Sequence, residues 1–170
     1  MDALEITKHL LSKVNIERYE DIGDGISNLK IQKLLFYIQK TSYSVYEKPF
    51  FTDKMEAWQY GPVIPTIYHE FKKYRSNNID VIETQDFINS KLALDKEQLL
   101  IIDFVWDSYN KYSAGGLVDL THNDIAWKKN FIPNLNHSID LNDLKDKAHK
   151  NDFLAYQQEL ENISNLKLEL

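Results

Sequence analysis

Apolar residues recur along this chain in two rhythms, and the switches between them mark out the elements. Ala3, Ile6, Leu10 and Val14 fall on one stripe at helical spacing, which predicts a helix over residues 2–14 with Asp2 as its cap. Ser27 is a good N-cap for a second helix, running to about Tyr46 before Pro49 stops it. Leu29, Ile31, Leu34, Leu35, Ile38 and Tyr43 make its stripe so wide that this helix is expected to be the centre of the core. A third long helix follows Asp95, with Leu99, Ile102, Trp106 and Tyr109 at helical spacing, and Ser113-Ala114-Gly115-Gly116 should end it. Leu117 to His122 predicts a short helix leading to Asn123–Trp127. Asp140 then caps a helix through about Lys150, Asp152 starts another through about Ile163, and the last residues should fray.

The period shortens to two between Met55 and Tyr60, placing Trp58 and Tyr60 on one face of an extended segment and Ala57 with Gln59 on the other. Gly61-Pro62 should break that strand into a turn, since proline cannot donate to a ladder. Pro65 suits the first helical position, and Ile67, Tyr68, Phe71 and Tyr74 then recur at helical spacing until Ser76-Asn77-Asn78. Gly61, Pro62 and Pro65 are therefore read as determinants of backbone shape. Pro49-Phe50-Phe51 and the polar turn Thr52-Asp53-Lys54 add a second extended piece, so a β-hairpin is expected there. Tyr19 to Gly25 reads as a loop, and Ile79 to Ile88 reads equally as irregular or weakly extended. The fold class that follows is mainly α: a single compact helical domain over residues 1–170, with a short β-hairpin inserted between helices.

Composition narrows the function. The absence of cysteine excludes a disulfide framework, thiolate catalysis and cysteine metal sites. The N-terminal MDALEITKHLLSKV has neither a signal peptide's pattern nor a membrane span's length, so a cytoplasmic protein is expected. Net charge is −6, yet residues 26–80 carry three more cations than carboxylates. Nucleic-acid binding is disfavoured for an acidic chain unless that basic centre forms one face. For Lys30, Lys33 and Lys40 the plain reading is a solvated helix face, and the functional one a docking patch for an acidic partner.

Catalytic chemistry is thin. Nothing matches a phosphate-binding loop, and Gly115-Gly116 alone does not suggest one. His122 beside Thr121 has no serine or carboxylate at a spacing that forces adjacency, which favours capping or hydrogen bonding over acid–base work. His137 and His149 stand twelve residues apart without a metal-ligand pattern, so neither a metal nor a cofactor is expected.

Three motifs carry a resemblance: LKIQKLLFYIQ (Leu29 to Gln39), EAWQYGPVIPTIYHEF (Glu56 to Phe71) and LVDLTHNDIAW (Leu117 to Trp127). Together they resemble the Panacea domain, the SocA-like, phage-associated antitoxin family, over about residues 26–129. The family pattern often has a proline just before the tryptophan of the third motif, where this chain has Ala126. The resemblance implies a small helical domain that binds and neutralises a cognate protein toxin, without enzymatic activity. Trp58, Tyr60 and Trp127 are the sharpest candidates for the partner contact, because aromatics dominate interface hot spots; core packing is the plainer reading of each. Lys33, Tyr37 and His122 complete the candidate set. The rival readings are an adaptor that carries a toxin to a protease, a DNA-binding regulator with a winged-helix-like surface, and an enzyme relying on His122. Residues 140–170, least covered by the resemblance, are a candidate place for partner-specific variation.

Overall fold

The computed structural model describes residues 1–19, 25–80 and 94–168. In chain order these form α1 (Ala3–Tyr19), α2 (Asn28–Tyr46), β1 (Glu56–Trp58), β2 (Gly61–Val63), α3 (Pro65–Phe71), α4 (Lys96–Tyr109), α5 (Ala114–Asn123), α6 (Ile125–Asn130), β3 (His137–Ser138) and α7 (Lys147–Leu168). The fold is mainly α, as the periodicity predicts. Among these helices none is long and apolar enough to cross a membrane.

Helix α2 runs through the middle. It packs against α1, α3, α4, α5, α7 and β2, so nearly its whole circumference is covered. Ser27 caps it, with its hydroxyl accepting from the Lys30 N–H, and Glu47 ends it in the left-handed region at φ 54°. The expected stripe of Ile31, Leu34, Leu35 and Ile38 is fully buried. Burying each such side chain contributes on the order of 2 kcal/mol.

The lysines of α2 do not face water. Lys30, Lys33 and Lys40 are all buried, which corrects the solvated-face reading. Each is satisfied by a distant element. Lys30 donates to the Asn110 carbonyl at 2.6 Å, a cation on the C-terminal end of α4 where the helix dipole favours it. Lys40 pairs with Asp124 and, at 2.8 Å, with Asp146. These two aspartates also cap helices: Asp124 accepts from the Ala126 N–H of α6, and Asp146 from the N–H groups of Ala148 and His149 in α7. One ammonium therefore joins two helix N-termini to α2.

The hairpin lies further along the chain than the pattern suggests. β1 and β2 pair antiparallel around Gln59 and Tyr60, with Glu56 opposite Val63, Ala57 opposite Pro62 and Trp58 opposite Gly61. Phe50 and Phe51 form no strand, because the Gln39 side chain takes the place of one: its Oε1 accepts from both N–H groups, and its Nε2 donates to the Phe51 carbonyl at 3.1 Å. Gly61-Pro62 is part of β2 instead of breaking the strand. Proline is tolerated because β2 is an edge of the sheet, whose order is β2-β1-β3. The third strand, His137–Ser138, pairs with Glu56 and Ala57 and has too short a pattern to be legible in sequence.

Several ends also differ. α1 continues past Val14 to Tyr19, starting from a reciprocal cap between Asp2 and Glu5. α4 begins at the expected Asp95 with a capping box to Gln98, but it stops at Tyr109. Ser113 then caps α5, so Ala114, Gly115 and Gly116 open a helix instead of closing one. Asp140 caps only a 3-10 turn, Leu141–Leu144, and Asp152 lies inside α7, a single helix through Leu168 that replaces the expected pair; residues 169–170 of the expected frayed end lie outside the described residues. Ile79 is buried and donates its N–H to the Ile26 carbonyl at 2.8 Å. The rest of the ambiguous stretch, residues 81–88, lies outside the described residues, as do residues 20–24 of the expected loop.

Candidate functional site

All three motifs meet at the hairpin turn. The carbonyl of Trp58 accepts from the Trp127 indole Nε1 at 2.9 Å, that of Gln59 from the His122 Nε2 at 3.0 Å, and that of Pro62 from the Lys33 Nζ at 3.0 Å. The backbone of a five-residue segment is thus held by side chains from α2, α5 and α6. A two-stranded hairpin is marginal by itself, and these contacts supply what it lacks.

Each anchor is itself fixed. Lys33 is 0% exposed and has no carboxylate partner among the described residues. Burial pushes its amine down to about 7. The imidazole of His122 stacks on Trp127 with ring centroids 4.2 Å apart, and Trp127 stacks on Phe131 at 4.4 Å. Since a carbonyl can only accept, the His122 Nε2 must carry the proton. Asp124 caps α6 beneath this stack, and Ala126 donates the capped N–H. A proline there would lack that donor.

Gly61 completes the cradle. Its φ is +95°, a conformation that side chains resist. A Cβ built on it would stand 2.6 Å from Thr121 Oγ1 and 2.9 Å from the Lys33 Nζ. The glycine is therefore required twice, for its dihedral and for its space. Pro65 is the first residue of α3, as expected.

What the cradle leaves outside is aromatic. Tyr60 is 63% exposed at the tip of the turn. Trp58 is half-buried, its indole donating to Glu56 at 2.9 Å and its ring meeting Tyr68 edge-on at 5.0 Å. Between the turn and α3 runs a groove of about 620 Å³, walled by Leu29, Val63, Trp58, Tyr60 and Tyr68. Lys72 and Arg75 stand at its rim.

The six candidate contact residues therefore divide. Trp58 and Tyr60 present surface, while His122 and Trp127 are half-buried behind them as supports. Lys33 and Tyr37 are buried and present none. Tyr37 stacks on Tyr109 at 3.8 Å and lies edge-on to Phe36, and burial raises its hydroxyl well above the ordinary range. Tyr68, Lys72, Arg75 and Thr121 were not singled out by the sequence. The helical spacing of Tyr68 and the basic run around Lys72 were the available signals, and Thr121 had none beyond its place next to His122. The two histidines considered for metal stand in unlike settings: His137 is exposed on β3, and His149 is buried between Thr41 and Tyr109.

A family model described as the SocA-like antitoxin, Panacea domain, matches residues 31–128, more than half of the chain. The matched span includes Lys33, the whole hairpin and the pair His122 and Trp127. A search of curated proteins and a search of solved structures each return no match.

Proposed function

Because the chain belongs to the SocA-like, Panacea-domain antitoxin family, we propose that it neutralises a cognate protein toxin by binding it directly, with the anchored hairpin turn as the grip. The observation that carries this reading is the contrast at Gln59–Tyr60. The backbone is held from behind by Lys33, His122 and Trp127, while the Tyr60 ring is left in solvent.

Such a turn suits a docking role on energetic grounds. Ordering a loop on association costs free energy that a prearranged loop does not spend. Exposed aromatics on a rigid backbone are the side chains that dominate interface hot spots. The reading is non-enzymatic: the His122 Nε2 is committed to a carbonyl and its ring to a stack, which leaves little for proton transfer. The DNA-binding rival loses ground because Lys30, Lys33 and Lys40, three cations of the basic centre, are buried and cannot contribute to a basic face. No specific observation favours a protease-adaptor role.

The test uses co-expression with the product of a neighbouring gene that arrests growth when expressed alone. Tyr60→Ala and Trp58→Ala should lose protection and weaken the purified complex at least about ten-fold, while circular dichroism stays unchanged. Full protection by both variants would end this reading.

A further inference from the structure

Resting on that reading, we infer that the segment of the toxin received by the groove is acidic, with carboxylates on Lys72 and Arg75 and a large apolar side chain between Trp58, Tyr60 and Tyr68.

The charge distribution carries the inference. The whole chain is net −6, so a cationic corner runs against its average. Within the basic centre the lysines of α2 are buried, and the remaining cations concentrate just after α3, at Lys72, Lys73 and Arg75. Two of these, Lys72 and Arg75, line the groove, and among the described residues no carboxylate does. Neither forms an ion pair among the described residues, although both are exposed. Cations with no ion-pair partner among the described residues, set beside aromatic walls, offer both components that an acidic, apolar-anchored segment needs.

The backbone at the rim points the same way. Arg75 has φ 54° and ψ −121°, a region that glycine takes far more readily than arginine, and its N–H is tied to the Lys72 carbonyl at 3.1 Å. A strained arginine at the mouth of a groove exchanges stability for position. Among the described residues no carboxylate pairs with that guanidinium.

The experiment measures toxin affinity by titration at low and high salt for the wild type, Arg75→Gly, the double variant Lys72→Glu with Arg75→Glu, and Tyr60→Ala. Arg75→Gly should be at least as stable as the wild type in urea, yet bind the toxin about ten-fold more weakly. The double variant should bind still more weakly, with most of the salt dependence gone. A dye-labelled peptide of aspartates and glutamates around one phenylalanine should compete with the toxin, and its lysine-substituted twin should not. If the double variant keeps its affinity within about two-fold while Tyr60→Ala loses it, the acidic-segment inference falls and the antitoxin grip stands. If neither variant changes affinity, or the wild type does not bind the toxin, both fall. Competition by an oligoribonucleotide but not by the acidic peptide would assign the cations to nucleic acid and overturn the inference.

Discussion

His122 donates from Nε2 to the carbonyl of Gln59 at 3.0 Å, across 63 residues of sequence. The bond converts a residue that resembles a catalytic candidate into a strut. Its neighbours repeat the arrangement: Trp127 holds the carbonyl of Trp58, and Lys33 that of Pro62. The three motifs that carry the resemblance are, in this chain, the parts that hold one turn in shape.

Removing the strut should therefore cost position more than stability. His122→Ala is expected to lower stability by about 1 kcal/mol, the net worth of one hydrogen bond, while weakening toxin binding. His122→Gln, which can still donate, should recover part of the binding. Chemical denaturation and toxin titration of the two variants check this, and equal binding by both at the wild-type level would remove the strut from the account.

Gly61→Ala should destabilise by at least about 2 kcal/mol, because positive φ strains any Cβ and this one meets Thr121 and Lys33 inside contact distance. Urea midpoints measure it. A change under about 0.5 kcal/mol would mean that the cradle is looser than its geometry.

Lys33 predicts an alkaline signature. Its amine ionises at about 7 in the folded chain, against an ordinary value of 10.5. Between those values the unfolded chain holds a proton that the folded chain lacks, so stability contributed by Lys33 rises with pH and is lost as pH falls toward 7. The stability difference between the wild type and Lys33→Met should shift toward the wild type by up to about 1.4 kcal/mol per pH unit across this window. A pH-independent difference from pH 7 to 10 would contradict the burial of an unpaired amine.

His149 predicts an acid signature. Burial, with the Lys40 ammonium nearby, pushes its imidazole down to about 4 from 6.5. Its Nε2 faces the Thr41 hydroxyl, which donates to the Tyr37 carbonyl at 2.7 Å, so the neutral ring carries its proton on Nε2. Below 6.5 the unfolded chain takes up a proton that the folded chain refuses, and stability should fall by about 3 kcal/mol as pH drops from 6.5 to 4. His149→Gln should flatten that limb of the stability profile.

Lys40→Met should cost about 3–5 kcal/mol, because it strands the buried Asp124 carboxylate. Adding Asp124→Asn should recover a large part, since asparagine can still cap α6. Additive costs in the double-variant cycle would show that the pair is not coupled.

What the sequence determined by itself was local. The caps at Asp2, Ser27 and Asp95 act within four residues of themselves, so short-range chemistry declares them. The stripe of α2, that of α4 apart from Leu99, which is exposed, the Pro65 start of α3 and the family motifs were legible for the same reason. Tertiary structure decided which face of α2 is dry, and the answer is nearly all of it, so its lysines became internal ties instead of a solvated face. It also decided that a glutamine from α2 would stand in for a strand beside Phe50 and Phe51, and that a proline could sit in an edge strand. The first two of these outcomes depend on partners between 11 and 106 residues away, and no spacing rule reaches that far. The chain states locally how each helix begins, whereas only packing settles which buried polar group finds which distant partner, because the cost of leaving one unpaired arises only once water has been excluded.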